Sequence, residues 1–320
     1  MTESSQAVGL AGLQLRAGVL AEIREFFRQR QVLEVETPLL CPTTATDPHL
    51  DSISVAGVSN RDRRNFYLQT SPEFAMKKLL AGGSGCIYQV CKAFRRDERS
   101  RRHNPEFTML EWYRLGLDDH QLMDEVEQLV TSLTGRPAPE RISYRQLFLR
   151  QLGLDPHHCS DAELENLARQ RLDFNASGYS RDDFLQLLLA EVIEPAMTGD
   201  CFVYDFPASM AALARVTPDP HGTPIARRFE LFMGGMELAN GYWELTDAAE
   251  QRRRFQADLA QRRQLQREEV PVDGELLSAL ESGLPDCAGV ALGLDRLLMV
   301  VAGVGAIDEV LSWPVGPNAG

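Results

Sequence analysis

The sequence predicts an α+β protein in which an antiparallel β-sheet is flanked by helices. Three observations carry this. Apolar residues recur at helical spacing in segments such as 13–31. β-rich stretches at 86–116 and 227–247 fold back on themselves across loop or glycine signals, as antiparallel neighbours do. Helices fall outside these strand pairs instead of alternating with single strands, which is the α+β pattern. Neither GxxxxGK[ST] nor GxGxxG occurs, so the two common nucleotide-binding loops do not apply.

In chain order, "LQLRAGVLAEIREFFRQRQ" (13–31) sets Leu15, Val19, Leu20, Ile23, Phe26 and Phe27 on one face of an amphipathic helix. "VLEVETPLL" reads as a short strand ending at Pro38, which cannot sit in a central ladder. "NFYLQTSPEFAMKKLLAG" reads as a strand, then a helix with Ser71 as N-cap, Pro72 as its first residue and Gly82-Gly83 as its end. "CIYQVCKAFRRDE" and "EFTMLEWYRLG" form an antiparallel hairpin with a long arginine-rich tip, and "DDHQLMDEVEQLVTSLTG" is a capped helix. Residues 135–200 have a polar, Arg-rich texture. Capping signatures at Ser160 to Glu163 and Ser180 to Asp183 open short helices there, so a helical insertion is expected, a lid or docking module. "CFVYDFP", "RRFELFMGGMELANGYWELTD" and "GVALGLDRLLMV" return to strands, with a long polar helix over 248–269 between the last two.

The 320 residues suffice for one large domain with ample core, and 44% hydrophobic with 25% charged residues is ordinary for a globular protein. No apolar run approaches a membrane span, and the N-terminus lacks the basic-then-apolar order of a signal peptide. Six scattered cysteines without CxxC fit reduced thiols, so the expected location is cytoplasmic. A net charge of −13 argues against broad adhesion to nucleic acid. Thirty of the 33 basic residues are arginine. Genomic base composition explains that, as does the advantage of few lysines in an enzyme that makes an amine-reactive intermediate.

Three segments carry candidate chemistry. In the hairpin, Arg95, Arg96, Arg99, Arg101 and Arg102 crowd the tip. Such a run can be a solvated face. Yet Arg95 leaves a strand where it can fork onto a phosphate or carboxylate, and His103, Asn104 and Phe107 offer polar groups and a ring for a nucleobase. Glu111 and Tyr113 alternate on the return strand and share a face. In the second segment Glu230 and Glu237 flank Gly234-Gly235 and can converge as hard oxygen donors for Mg2+, while Asn240, Tyr242 and Glu244 share a face. An ordinary hairpin with solvent-facing acids is the competing reading. In the third, Gly289, Ala291 and Gly293 leave one strand face nearly bare before Asp295-Arg296, a weak signal alone.

Together these segments resemble the three signature motifs of class II aminoacyl-tRNA synthetases: a helix and strand ending in Pro38, an FRxE-type hairpin, and a glycine strand ending in arginine. "RHNPEFTMLEWY" and "ELANGYWELTDAAEQRRRF" are most similar to the lysyl branch. The resemblance spans a catalytic domain at 13–302, weakest over 135–200, with 1–12 and 303–320 as terminal extensions. It implies that ATP and Mg2+ are used. Arg95 and Arg296 would be catalytic: Arg95 would hold the α-phosphate and the reacting carboxylate, and Arg296 would stack with Phe107 around adenine. Asn104 would read the adenine edge, and Arg102 and His103 would take the outer phosphates. Asp97, Glu237, Leu238 and Gly293 would complete the ATP site, and Glu230 with Glu237 would hold the metal. For the amino acid, Glu244 and Tyr113 would face a distal ammonium, Glu73 and Glu111 the other amine, with Ser71, Asn240, Tyr242 and Ala291 alongside.

Lysyl enzymes carry an anticodon-reading OB-fold ahead of the first motif, where this chain has about a dozen residues. The expectation is therefore a stand-alone paralogue, without tRNA anticodon binding. Such paralogues activate (R)-β-lysine and transfer it to a lysine side chain of translation elongation factor P. The implied partners are elongation factor P, β-lysine and a second copy of the chain in a homodimer, with no membrane. Ala239 and Ala291 stand where the lysyl branch has Gly, each adding a methyl to the pocket, and Asp97 stands where FRxE has Glu, with Glu98 next to it. A minimal lysyl-tRNA synthetase, a non-catalytic paralogue that binds lysine and ATP, and an asparagine-synthetase-like ligase are the alternatives.

Overall fold

The computed structural model describes residues 8–58, 65–172 and 178–314. Parts of the expected terminal extensions (1–7 and 315–320) and of the insertion (173–177) lie outside the described residues. The chain runs α1 (Leu10–Gln29), β1 (Leu33–Glu34), β2 (Leu40–Cys41), β3 (Ser54–Val55), β4 (Phe66–Leu68), α2 (Glu73–Ala81), β5 (Ile87–Phe94), β6 (Glu106–Leu115) and α3 (Asp119–Thr134). Then come β7 (Glu140–Ser143), α4 (Tyr144–Leu152), α5 (Asp161–Arg171), α6 (Arg181–Leu188), α7 (Glu194–Ala196) and β8 (Cys201–Pro207). The last third comprises β9 (Val216–Pro218), β10 (Pro224–Met233), β11 (Met236–Trp243), α8 (Ala248–Gln264), α9 (Gly274–Gly283), β12 (Cys287–Gly293) and α10 (Leu294–Ala302).

The main sheet has the order β1-β5-β6-β12-β11-β10-β8-β7, with β9 added on β10. All its pairings are antiparallel except the two at its ends, β1 with β5 and β7 with β8. The α+β expectation therefore holds. Helices α1, α3 and α10 cover one face over a core that includes Val19, Ile23, Phe27, Trp112, Val126 and Leu298. Phe27 stacks on Tyr88 at 4.3 Å and meets Trp112 edge-on. On the other face α2, α8 and α9 pack around Met76, Leu80, Phe255, Leu276 and Cys287. That face also carries the cavity.

Local chemistry explains where the elements stop. Asp118 and Gln121 form a capping box at the start of α3, and Gly135 closes it in the left-handed conformation. Gly234 and Gly235 both have positive φ (59° and 71°), which the two-residue turn between β10 and β11 requires. Four readings need correction. "VLEVETPLL" is not one strand: its first half pairs with β5 as far as Val35, and beyond Pro38, which has no N–H to donate, the chain joins the small sheet β2-β4-β3. Helix α2 begins at Glu73 with Pro72 as its N-cap, while the Ser71 hydroxyl accepts from the Glu73 N–H at 3.0 Å. Helix α8 ends at Gln264, short of residue 269. Residues 135–200 are not wholly helical, since β7 is an edge strand of the main sheet. Helices α4 to α6 bury Tyr144, Phe148, Leu164 and Leu185 in a core of their own against β8, with both expected capping boxes formed. After α10, Ile307, Val310 and Leu311 pack into the main core.

Candidate active site

A cavity of about 1670 Å³ opens over the sheet, bordered by α2, by the hairpin tip, by β10 to β12 and by the start of α10. Its two ends have opposite chemistry.

At one end lie carboxylates. Period-two spacing on β6 puts Glu111 and Tyr113 on the same face, and the Tyr113 hydroxyl donates to Glu111 Oε1 at 2.7 Å. The Ser71 hydroxyl donates to Glu111 Oε2, also at 2.7 Å. Glu244, just past β11, and Glu73, on the first turn of α2, both approach the Lys77 ammonium at 2.7 Å. Glu73 and Ser71 line the cavity, with Asn240, Tyr242 and Ala291 across from them. Glu111, Tyr113 and Glu244 form the buried layer beneath. Burial, with repulsion from Glu73, pushes Glu111 up to about 8. Burial pushes Glu244 up to about 7 against the pull of Lys77. The glycine strand is bare only in part, because its Gly289 end is filled: a Cβ there would sit 2.3 Å from the Tyr113 ring and 2.5 Å from Glu244 Oε1. Ala291 and Gly293 face the open cavity.

At the other end lie arginines. Arg95 faces the cavity with its guanidinium 5.1 Å from the Phe107 ring centroid and 3.7 Å from Glu98, and its buried Nε has no protein partner. Arg296 donates to the Glu237 carbonyl at 2.5 Å and contacts His103 Nε2 at 2.6 Å. Burial and the neighbouring Arg296 and Arg95 push His103 down to about 4, so it is neutral here and accepts from Arg296. Arg296 owes its place to Asp295, whose buried carboxylate pairs with Arg16 and accepts from the Thr108 N–H at 2.6 Å. Asn104 and Leu238 also border the cavity, the Asn104 amide donating to the Glu106 carbonyl at 2.5 Å.

The tip arginines divide by role. Arg95 and Arg102 face the cavity, Arg102 while donating to the Gly235 carbonyl at 2.5 Å. Arg99 instead forks onto Asp308 at 2.8 Å, and Arg96 lies 3.6 Å from Asp51. Arg96 and Arg99 thus tie the tip to its own protein. Asp97, expected on the ATP side, does not line the cavity: its side chain is 88% exposed at a positive φ of 61°, and Glu98 lines the cavity in its place.

Glu230 and Glu237 both border the cavity near the β10–β11 turn. Glu230 accepts from Arg228 at 2.5 Å and from the Asn240 amide at 3.3 Å, and the buried Asn240 Oδ1 has no protein partner. Two carboxylates and an orphaned amide oxygen form a donor set that fits a hard divalent cation.

Residues 5–316 match the family model described as tRNA synthetases class II (D, K and N). The chain belongs to the class II tRNA synthetases. Like that family it is an ATP-dependent amino-acid ligase. It is 48% identical over 312 residues to a protein of Vibrio cholerae named elongation factor P--(R)-beta-lysine ligase, covering 95% of each chain. A protein of the same name from Yersinia enterocolitica is 46% identical over 314 residues, covering 96% of each chain. In this class II core, Lys77 and Arg228 are the site residues that the motif reading passes over. Each carries a readable signal. Lys77 stands four residues after Glu73 on one helix face, and Arg228 two before Glu230 on one strand face.

Proposed function

We propose that this ligase activates (R)-β-lysine with ATP as an aminoacyl-adenylate and transfers it to a lysine side chain of translation elongation factor P. The observation that carries the reading is the polarity of the cavity. Glu73 lines one end with Glu111 and Glu244 buried beneath it, where a buried ammonium would otherwise be costly, and Arg95, Arg102 and Arg296 stand at the other. A diamino acid whose carboxylate points at a nucleotide fits both ends. The name that the relatives share supports the choice of isomer and acceptor.

In the first step a carboxylate oxygen of the amino acid attacks the α-phosphorus of ATP. The new C–O–P bond forms as the bond to the β-phosphate oxygen breaks, and pyrophosphate leaves. Arg95 brings the two anionic reactants together and stabilises the charge that builds on the phosphoryl oxygens. Phe107 and Arg296 hold the adenine between them, Asn104 reads its edge, and His103 and Arg102 steer the outer phosphates, with Glu98 beside Arg95 taking the part expected of Asp97. Glu230 and Glu237, with Asn240 Oδ1, would hold Mg2+, which when bound neutralises phosphate charge. In the second step the acceptor amine attacks the adenylate carbonyl, a C–N bond forms, and AMP leaves with the electron pair of the broken C–O bond while the amine loses a proton.

Homodimer formation through α1 and β1 is supported by Leu10, Leu13 and Leu33, which are 71%, 44% and 57% exposed. A translation factor as acceptor places the reaction in the cytoplasm. Among the described residues no helix is long and apolar enough to cross a membrane.

Amino-acid-dependent ATP–pyrophosphate exchange tests the substrate. Exchange should be fastest with (R)-β-lysine, slower with α-lysine and lost with a chain-matched acid lacking the distal amine. Equal exchange with the monoamino acid would remove the reading.

A further inference from the structure

We infer that Lys77 is a specificity-determining positioning residue: by bridging Glu73 and Glu244 from inside the core it fixes both carboxylates and sets how many ligand ammoniums the pocket can match. The inference rests on the reading of this pocket as an amine-binding site, and deepens it.

The Lys77 side chain is 2% exposed, and its Nζ lies 2.7 Å from both Glu73 Oε1 and Glu244 Oε2. It does not border the cavity, so it acts through the two acids and not on the ligand. Glu73 and Glu244 flank the one ammonium, which leaves one charge unmatched, and Glu111, held protonated between Ser71 and Tyr113, supplies a second when it gives up its proton to an arriving ammonium. A diamino acid supplies two ammoniums while its own carboxylate goes to Arg95. A monoamino acid can match only one of the two. The residue type fits the task, because an ammonium on an unbranched stem reaches two acids in different directions, where a guanidinium is a planar fork. A chain that uses arginine for 30 of its 33 basic residues has a lysine here.

The groups facing this cluster come from every neighbouring element: Glu111 and Tyr113 from β6, Tyr242 from β11, Cys287 from β12, and Arg215, whose Nε donates to the Glu244 carbonyl at 2.8 Å. Burial opposes the charge of Lys77, but Glu244 and Glu73 outweigh it and raise its pKa, so it stays protonated. Lys77 in turn pulls Glu244 down against burial. Without Lys77, Glu244 would hold its proton at neutral pH, and an arriving diamino acid would have to expel it.

The test is calorimetric binding of (R)-β-lysine to the full-length protein, without ATP, in buffers of different ionisation enthalpy, so that protons released on binding are counted. Lys77→Met should bind the amino acid roughly ten-fold or more weakly, as expected for one pKa unit of unfavourable linkage. It should release more protons than wild type at pH 7 and leave ATP affinity within about two-fold. Lys77→Arg, which keeps the charge but not the geometry, should keep the wild-type proton count while weakening affinity. If Lys77→Met does not fold, Lys77→Met/Glu244→Gln removes the ammonium together with its buried partner and leaves only the part-exposed Glu73 unpaired. That variant should fold and discriminate less between β-lysine and its monoamino counterpart. Wild-type affinity and proton release in Lys77→Met, or wild-type discrimination in the double variant, overturns the inference and leaves Lys77 a packing residue. Failure of the wild-type protein itself to bind β-lysine overturns the pocket reading instead.

Discussion

Gly289→Ala should damage the amino-acid end of the site and spare the nucleotide end. Gly289 sits mid-strand in β12, opposite Tyr113 on β6 and Tyr242 on β11. Its φ lies outside the left-handed range, so alanine is acceptable to the backbone and the obstacle is space. The added Cβ would lie 2.3 Å from Tyr113 Cε1 and 2.5 Å from Glu244 Oε1. Carbon atoms pack comfortably at about 3.5–4.0 Å, so the ring has to move by more than about 1 Å. The ring is 2% exposed and has no room to do so cheaply. Such overpacking costs about 1–3 kcal/mol. A shifted ring also strains the 2.7 Å bond from its hydroxyl to Glu111. A hydrogen bond between neutral groups contributes about 0.5–1.5 kcal/mol. Together the expected loss in kcat/KM for the amino acid is about 3 kcal/mol, more than a hundred-fold. The KM for ATP should change by less than about two-fold. Pyrophosphate exchange with each substrate varied in turn gives both numbers, and circular dichroism checks the fold. An unchanged amino-acid KM, or an equal loss for ATP, would refute this reasoning.

Other perturbations separate the parts of the site. Arg95→Ala should abolish pyrophosphate exchange, since it removes the fork proposed to hold both reacting anions; near-normal exchange would remove the mechanism. Ala291→Gly should raise exchange with α-lysine about ten-fold, the equivalent of about 1.4 kcal/mol for one methyl's worth of crowding, measured as the kcat/KM ratio of α- to β-lysine. An unchanged ratio would move attention to Ala239. Because burial holds Glu111 protonated up to about 8, against 4.5 when solvated, its contribution to stability is complete below about 4.5 and is lost as pH rises to about 8. Glu230 and Glu244, raised to about 7, act in the same direction. The ligand-free protein should therefore melt at progressively lower temperature from pH 5 to 8, and β-lysine should reduce that slope. A melting temperature flat across the range would show the carboxylates to be ionised throughout. Light scattering should give twice the 35.8 kDa chain mass at micromolar concentration, and a stable monomer would count against the proposed dimer.

Much of this architecture is legible in the sequence, because local rules suffice for it. Period two on β6 tells that Glu111 and Tyr113 point together, capping signals mark α3, α5 and α6, and a glycine pair marks the β10–β11 turn. The rest depends on long-range geometry. Nothing local says that Arg99 is spoken for by Asp308, 209 residues away. Nothing local says that Asp97 takes a positive φ and turns outward while Glu98 turns in. The bare face of the glycine strand reads as open space for a ligand, yet at Gly289 the strand's neighbours fill it with Tyr113. Lys77 escapes notice because a Glu–Lys pair four residues apart on a helix is ordinarily a solvated surface pair. Its burial between two acids appears only once β11 and α2 are placed side by side.

The central claim is that the activated amino acid goes to a protein. Incubating the enzyme with ATP, Mg2+, (R)-β-lysine, elongation factor P and lysine-accepting tRNA in one mixture, then weighing both acceptors by mass spectrometry, tests it most directly. The account predicts one β-lysyl addition, mapped to a lysine side chain of elongation factor P, with tRNA unmodified. Acylated tRNA beside an unchanged elongation factor P would contradict it.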